Sequence, residues 1–155
     1  MIRETEKYQA VSMNDLIPLF HEYLESGQSV RFSPQGVSML PMLRQGIDSV
    51  VLSQAPETLK KYDLPIYQRE DGKYILHRIV GAGATYTCVG DNQFKFETGI
   101  RREQILALVI GFYRGETYHS VDEPAYRAYC RFWHYSRPLR HFWRRGIDFL
   151  RKKLK

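Results

Sequence analysis

Short strand-like runs, separated by turn signals at close intervals, fill most of this chain of 155 residues. Glu70-Asp71-Gly72 is typical of a hairpin turn, and Gly81-Ala82-Gly83 indicates a second turn soon afterwards. Many short strands with turns between them predict a mainly β domain built from coiled sheets. The predicted strands are 29–32, 49–53, 63–67, 73–80, 85–89 and 105–113.

Helical patterns flank the predicted β domain. The stretch Ser12-Met13-Asn14-Asp15 has the spacing of a capping box, and Gly27 is suited to end the helix that follows. The apolar residues of this helix fall on one face, namely Ile17, Phe20 and Leu24. The chain therefore divides into an N-terminal helical segment (1–28), a β domain (29–121) and a basic, aromatic C-terminal helical tail (122–155).

The C-terminal tail combines helical periodicity with a strong positive charge. Its first part has apolar residues at i, i+3, i+4 and i+7, namely Tyr126, Tyr129, Cys130 and Trp133. Pro138 predicts a break before a second helical piece. Residues 124–155 carry ten basic residues against one acid, Asp148. Three interpretations follow: a helix that caps the domain, a helix that docks on an anionic membrane surface, and a nucleic-acid-binding segment. The last is the least favoured, because no recognition motif accompanies the charge.

The composition of the chain bears on its location and on whether it has disulfides, metal sites or cofactors. Residues 1–9 are charged rather than apolar, and no stretch approaches the ~20 apolar residues of a membrane-spanning helix. We therefore expect a cytoplasmic protein that is at most peripheral to the membrane. Cys88 and Cys130 are far apart, and the five histidines show no ligand spacing. No disulfide, metal site or cofactor is predicted.

The stretch from Gly36 to Gly46 is the first candidate for a functional site. Its sequence is Gly36-Val37-Ser38-Met39-Leu40-Pro41-Met42-Leu43-Arg44-Gln45-Gly46. A serine hydroxyl becomes a useful nucleophile when its backbone is held rigidly and a base lies beside it. Gly36 permits an unusual backbone conformation before Ser38, and Pro41 fixes φ after it. Taken alone, the stretch fits a simple turn between two strands equally well.

Two further motifs follow in order. Tyr74-Ile75-Leu76-His77-Arg78-Ile79-Val80 comes first, and Gly90-Asp91-Asn92 comes second. A Ser-Met-x-Pro segment followed by these two motifs resembles the signal peptidase I superfamily, over roughly residues 30–112. The bacterial signal peptidases and the LexA-type peptidases have a lysine base where this chain has His77. The resemblance is therefore to the endoplasmic-reticulum, archaeal and sporulation-type signal peptidases, which have a histidine there.

The resemblance implies a coiled β-sheet fold of the signal-peptidase and LexA type and a serine endopeptidase activity. Ser38 would be the nucleophile and His77 the general base, and small residues would flank the cleaved bond. A histidine base usually needs a third group that fixes its tautomer. Asp91 is the preferred candidate, because its residue type and motif match. Glu97 is the alternative, since it lies near the place where the endoplasmic-reticulum enzymes carry a second aspartate.

The remaining site residues follow from the same resemblance. Signal peptidases commonly place a serine donor two residues before the nucleophile, where this chain has Gly36. The oxyanion hole would then rely on the backbone N–H of Ser38, with at most one further backbone group. The segment 29–35 would hold an extended substrate by β-strand addition. The substrate-edge residues of this segment would be Arg31, Phe32, Ser33 and Gln35. We expect Arg78 to pair with a core acid and to have a structural role.

Two other classes of function remain open. One is a non-catalytic module that keeps the fold and binds a peptide or a membrane. The other is a LexA-like self-cleaving regulator, which is disfavoured because the segment before Ser38 is too short for a helix-turn-helix domain with a linker. The Ala-Gly bond that such regulators cut is also missing there, since Ala82-Gly83 lies after the serine. The sequence does not indicate an oligomeric state.

Overall fold

Nine short β-strands follow an N-terminal helix and precede two C-terminal helices in the computed structural model, which describes residues 13–154. The proposed Ser12 cap and the start of the 1–28 segment lie outside the described residues. The elements are α1 (Met13–Glu25), β1 (Val30–Phe32), β2 (Ser49–Gln54), β3 (Pro65–Gln68), β4 (Tyr74–Leu76), β5 (Arg78–Ala82), β6 (Tyr86–Val89), β7 (Glu97–Ile100), β8 (Ile105–Arg114), β9 (Thr117–Ser120), α2 (Pro124–Tyr135) and α3 (Arg137–Lys153).

The strands form two antiparallel sheets. The larger sheet has the order β1-β2-β8-β3-β4, with β9 paired to the long strand β8. The smaller sheet has the order β5-β6-β7. The prediction of a mainly β protein with a short N-terminal helix and C-terminal helices is confirmed.

The predicted strand 73–80 is in fact two strands in different sheets. β4 pairs with β3 in the larger sheet, whereas β5 pairs with β6 in the smaller one. His77 is the residue between them. An apolar run interrupted by His77 and Arg78 continues across this crossing, so the pattern alone does not distinguish one long strand from two short ones. The crossing matters because it puts His77 where the two sheets meet.

Two clusters of buried side chains support the sheets. The first lies between α1 and the larger sheet, and it includes Ile17, Phe20 and Leu24, as their spacing predicted. The second lies against the smaller sheet and includes Tyr67, Ile79 and Cys88. Gly27 has φ of 78° and follows the last turn of α1, which confirms the predicted helix end.

The C-terminal tail consists of two helices that differ in their packing. The predicted break is confirmed, since α2 ends at Tyr135 and Pro138 lies in the first turn of α3. α2 adds Tyr126 and Cys130 to the first core cluster, so it packs with the β domain. Most of α3 is exposed. None of the helices within residues 13–154 has the length and apolar character needed to cross a membrane.

Candidate functional site

Ser38 begins a tight turn that buried side chains fix in place. The N–H of Leu40 donates to the carbonyl of Val37 at 3.2 Å. Met39 within this turn and Met42 after it are buried in the first core cluster. Gly36 has φ of 92°, and a Cβ there would meet nothing within 4 Å. Its glycine is therefore required by the left-handed backbone conformation and not by lack of space.

The loop containing Gly90 and Asn92 holds the Ser38 turn. The N–H of Asn92 donates to the Ser38 carbonyl at 2.9 Å, and its side-chain amide donates to the Val37 carbonyl at 3.1 Å. A Cβ built on Gly90 would lie 2.6 Å from the Ser38 carbonyl oxygen and 3.1 Å from Nε2 of His77. Gly90 thus lets the serine turn and the histidine ring approach the same point from two sides.

Ser38 and His77 line one small cavity of about 100 Å³. Strand β4 forms one wall, and the segment before Ser38 forms the other. The lining residues are Pro34, Gln35, Gly36, Ser38, Met39, Leu43, Tyr74, Ile75, Leu76 and His77. The structure therefore brings together the two residues that the sequence predicted as a pair.

Only part of the predicted substrate edge lies at the cavity. Gln35 lines the cavity, but Arg31, Phe32 and Ser33 do not. Arg31 donates to the Ser49 hydroxyl at 2.8 Å and stacks over an aromatic ring on β8. Phe32 packs edge-on against α1, and Ser33 is exposed. β1 is at the end of the larger sheet and pairs with β2 on one side, so strand addition at β1 stays a prediction.

His77 is buried, with 2% of its surface exposed. Its Nδ1 lies 3.2 Å from Oε1 of Glu97 and 3.4 Å from the Tyr67 hydroxyl. Burial lowers the pKa of His77 below its ordinary value, although the Glu97 carboxylate opposes part of this effect. The imidazole is therefore neutral at pH 7. A neutral ring that donates from Nδ1 to Glu97 has Nε2 as an acceptor on the side of Gly90 and Ser38.

Arg69 keeps the Glu97 carboxylate charged. Its Nε donates to Glu97 Oε2 at 2.8 Å, and its Nη2 donates to Oε1. Partial burial raises the pKa of Glu97, but hydrogen bonds from Arg69 and Tyr67 outweigh it and hold this pKa below its ordinary value. Sequence reasoning missed both Arg69 and Tyr67. They belong to the β3 hairpin, and nothing in their local pattern indicates that this hairpin faces Glu97 on β7.

The placement of Asp91 beside the His77 ring is wrong. Both Asp91 oxygens accept from Arg78, each at 2.8 Å, and Oδ2 also accepts from the Tyr129 hydroxyl at 2.8 Å. Asp91 and Arg78 are almost completely buried, at 0% and 1% exposed. The prediction that Arg78 pairs with a core acid is confirmed, and the acid is Asp91. Both acids accept two bonds from an arginine, but an oxygen of Glu97 lies 3.2 Å from the His77 ring, whereas the side-chain partners of Asp91 are Arg78 and Tyr129. Glu97 is therefore the acid beside the ring.

The two C-terminal helices brace the loop that carries Asp91. Trp133 Nε1 on α2 donates to the Asp91 carbonyl at 2.7 Å. On α3, Arg137 donates to the Gln93 carbonyl and Arg144 donates to the Asn92 carbonyl, each at 3.3 Å. The periodicity of these residues predicts helices but no link to the site. Such a link depends on how the helices pack, which periodicity does not encode.

The oxyanion side of the site has limited donors. The N–H of Gly36 donates to Gln45 Oε1 at 3.1 Å, so this group is already engaged. The Ser38 N–H is therefore the backbone donor nearest the nucleophile by position in the chain. Within residues 13–154, no group of three or more His, Cys, Asp or Glu side chains is placed to hold a metal ion.

Comparison with known proteins adds no assignment to this geometry. No protein-family model matches the chain, and no curated protein matches it either. The basis on which a function can be argued is thus that Ser38 and His77 line one cavity and that Glu97 contacts the His77 ring.

Proposed function

We propose that this chain is a serine endopeptidase with a signal-peptidase-like site. Ser38 is its nucleophile, His77 its general base and Glu97 the acid that orients the base. One observation supports this most strongly. The His77 ring contacts Glu97 through Nδ1 at 3.2 Å, while a Cβ on Gly90 would meet both Nε2 and the Ser38 carbonyl. Serine acylation uses a histidine between a carboxylate and a serine hydroxyl, and this buried histidine lies between Glu97 and the serine turn.

The reaction proceeds in two halves. Nε2 of His77 takes the Ser38 hydroxyl proton as Oγ attacks the carbonyl carbon of the peptide bond. The imidazolium then gives that proton to the leaving nitrogen, so that an amine departs and an ester to Ser38 remains. Water attacks the ester with His77 again as base, which releases a carboxylic acid and restores the hydroxyl. Glu97 holds the Nδ1 proton throughout and stabilises the imidazolium.

Strand β4 suits the binding of an extended peptide. It is at the end of the larger sheet and pairs with β3 on one side, and Tyr74, Ile75 and Leu76 line the cavity on the other. A peptide added as a further strand would run between β4 and the segment before Ser38. The cavity of about 100 Å³ has the volume of roughly three water molecules at about 30 Å³ each, which favours a small side chain.

The oxyanion hole limits the expected rate. With Gly36 N–H bound to Gln45, the Ser38 N–H is the donor that this proposal relies on. Removal of one donor from an oxyanion hole typically costs on the order of 10²–10³ in kcat. We therefore expect slow turnover compared with enzymes that have two donors.

Turnover by the full chain tests the proposal. The purified protein is incubated with peptides that have small residues along their length, and mass spectrometry identifies the products. Cleavage should disappear in Ser38→Ala and persist in Ser33→Ala, because Ser33 is an exposed serine outside the cavity. Cleavage that persists in Ser38→Ala would contradict the proposal.

The same samples distinguish the alternative functions. Peptide binding without cleavage, unchanged in Ser38→Ala, would indicate a non-catalytic module. Shortening of the 18.3 kDa chain itself, lost in Ser38→Ala, would indicate a self-cleaving regulator.

A further inference from the structure

Helix α3 has an apolar face that the described residues 13–154 leave uncovered. Leu139, Phe142 and Trp143 are 68%, 79% and 69% exposed, which is unusual for large apolar side chains near one another. The exposed apolar residues of α3 are Leu139, Phe142, Trp143, Ile147, Phe149 and Leu150, and Leu154 follows directly. Spacings of three and four residues put this set along one side of the helix.

The other side of α3 holds the helix to the domain. Arg137 is buried and donates to the Gln93 carbonyl. The Arg140 guanidinium lies 3.8 Å from the centre of the Trp133 ring, and Arg144 donates to the Asn92 carbonyl. Three arginines on one side thus fix the helix to α2 and to the loop after Gly90. The apolar side consequently faces away from these contacts.

The charge of α3 indicates what would cover the apolar face. Between Arg137 and Lys153 the helix has seven basic residues and a single acid, Asp148. A helix with a large apolar side, a basic side and aromatic residues fits the plane of a membrane interface. We infer that α3 docks on an anionic membrane surface, with its apolar face in the boundary between headgroups and acyl chains. The basic residues that do not hold α3 to the domain would lie among the headgroups, namely Arg145, Arg151, Lys152 and Lys153.

Charge argues against the other occupants of this face. Two copies of α3 packed face to face would bring two strongly basic helices together, which repel each other. Nucleic acid would bind the arginines and lysines through its phosphates, but it would not bury the apolar side chains of Phe142, Trp143 and Leu150. An anionic membrane satisfies the basic residues and the apolar face together.

The two tryptophans should respond differently to docking. Trp133 is half-buried and donates to the Asp91 carbonyl, whereas Trp143 is 69% exposed on the apolar face. Entry into the acyl boundary changes the surroundings of Trp143 alone. The interaction surface is thus α3, and not the whole of residues 124–155.

Vesicle binding by the full chain tests this docking. The protein should bind phosphatidylcholine vesicles that contain phosphatidylserine at low salt. It should dissociate as the salt concentration rises past ~0.15 M, where the Debye length is about 8 Å. Trp143 emission should shift to the blue on binding, and the shift should be absent in Trp143→Phe. Lys152→Gln with Lys153→Gln should weaken binding at least about 10-fold, because each basic residue near such a surface contributes.

Matched controls separate the α3 face from general charge and apolar effects. Phe142→Ser with Trp143→Ser should abolish binding. Leu19→Ser with Tyr23→Ser removes two exposed apolar residues from α1, which are 49% and 47% exposed, and should leave binding unchanged. Lys60→Gln with Lys73→Gln, which removes the same charge elsewhere, should also have little effect.

Four results would overturn the inference. The first is no binding to vesicles containing phosphatidylserine, and the second is equal binding to pure phosphatidylcholine vesicles. The third is a soluble dimer that does not bind vesicles and that Phe142→Ser with Trp143→Ser disrupts. The fourth is binding to RNA or DNA in place of vesicles. Circular dichroism of each variant confirms that the fold is kept, so that a loss of binding reports on the surface itself.

Discussion

Two acids close to the site have different roles at the scale of single residues. Asp91 is fully buried and binds Arg78 with both oxygens. Glu97 is partly exposed and contacts both His77 and Arg69. Loss of one partner from a buried ion pair leaves an uncompensated charge, whereas loss of a group that orients a base affects the reaction.

Substitution of each acid by its amide should therefore affect different measurements. Asp91→Asn should lower the free energy of unfolding by about 3–5 kcal/mol, because Arg78 is left charged and buried. Glu97→Gln should keep most of the stability and lower kcat by on the order of 10²–10⁴, because the His77 tautomer is no longer fixed. Urea unfolding and peptide turnover measure the two effects. If Asp91→Asn is stable but inactive and Glu97→Gln is fully active, Asp91 and not Glu97 is the acid that orients His77.

The pH dependence should report the surroundings of His77. Burial lowers the pKa of His77, and the Arg69 cation lowers it further. Activity requires the neutral ring, so kcat/KM should fall as pH decreases through this lowered pKa. Arg69→Gln removes the cation, raises the pKa and should move the acid limb to higher pH. Lys73→Gln, an exposed charge, should leave the limb unmoved. A limb that moves to lower pH in Arg69→Gln would contradict the electrostatic account.

At the scale of elements, the site depends on a strand crossing and on a loop. His77 lies between β4 and β5, and the loop after β6 passes within contact of Ser38 and His77 through Gly90. The Ser38–His77 pair could be predicted from sequence because each residue lies in a recognisable local motif. Glu97 could not be preferred, because it lies on β7, a strand that no pattern indicated. The sequence also did not predict that α2 supports the loop at Asp91, because Tyr129 and Trp133 contact Asp91 only through tertiary packing.

Glycine substitutions should show that the loop after β6 has no spare space. A Cβ at Gly90 would lie 2.6 Å from the backbone oxygen of Ser38, so Gly90→Ala must displace the serine turn. We expect it to lose about 1–3 kcal/mol of stability, as in an overpacked core, and most of the activity. Gly146→Ala is the control, because a Cβ there meets nothing within 4 Å. It should stabilise α3 by about 0.5–1 kcal/mol. Thermal unfolding and turnover measure both, and a Gly90→Ala variant with unchanged activity would contradict the close approach.

At the scale of the whole molecule, the proposed peptidase site and the proposed docking face occupy separate parts. Ser38, His77 and Glu97 lie where the two sheets meet, and the apolar face lies on α3. Two arginines of α3 donate hydrogen bonds to the loop at residues 91–94, and this loop connects the docking face to the site. Variants of the exposed face, such as Phe142→Ser with Trp143→Ser, keep these arginines. They should therefore lose vesicle binding and retain cleavage of a soluble peptide.

The central claim is that His77 activates the side chain at position 38, and Ser38→Cys makes this measurable without a substrate. Cys88 and Cys130 are buried, and burial raises the pKa of the Cys88 thiol to about 12, so the native cysteines react poorly. A free thiol has a pKa of about 8.5, and transfer of its proton to a neighbouring imidazole lowers this pKa by forming a thiolate beside an imidazolium.

The measurement is the rate of iodoacetamide alkylation of Ser38→Cys from pH 5 to pH 9, with Ser33→Cys as the exposed control. We expect rapid alkylation of Ser38→Cys well below pH 8 and loss of this reactivity when His77→Gln is added. For Ser33→Cys we expect the alkylation rate to have its pH midpoint at about 8.5. A midpoint of about 8.5 for Ser38→Cys that His77→Gln does not change would show that His77 does not activate the side chain at position 38.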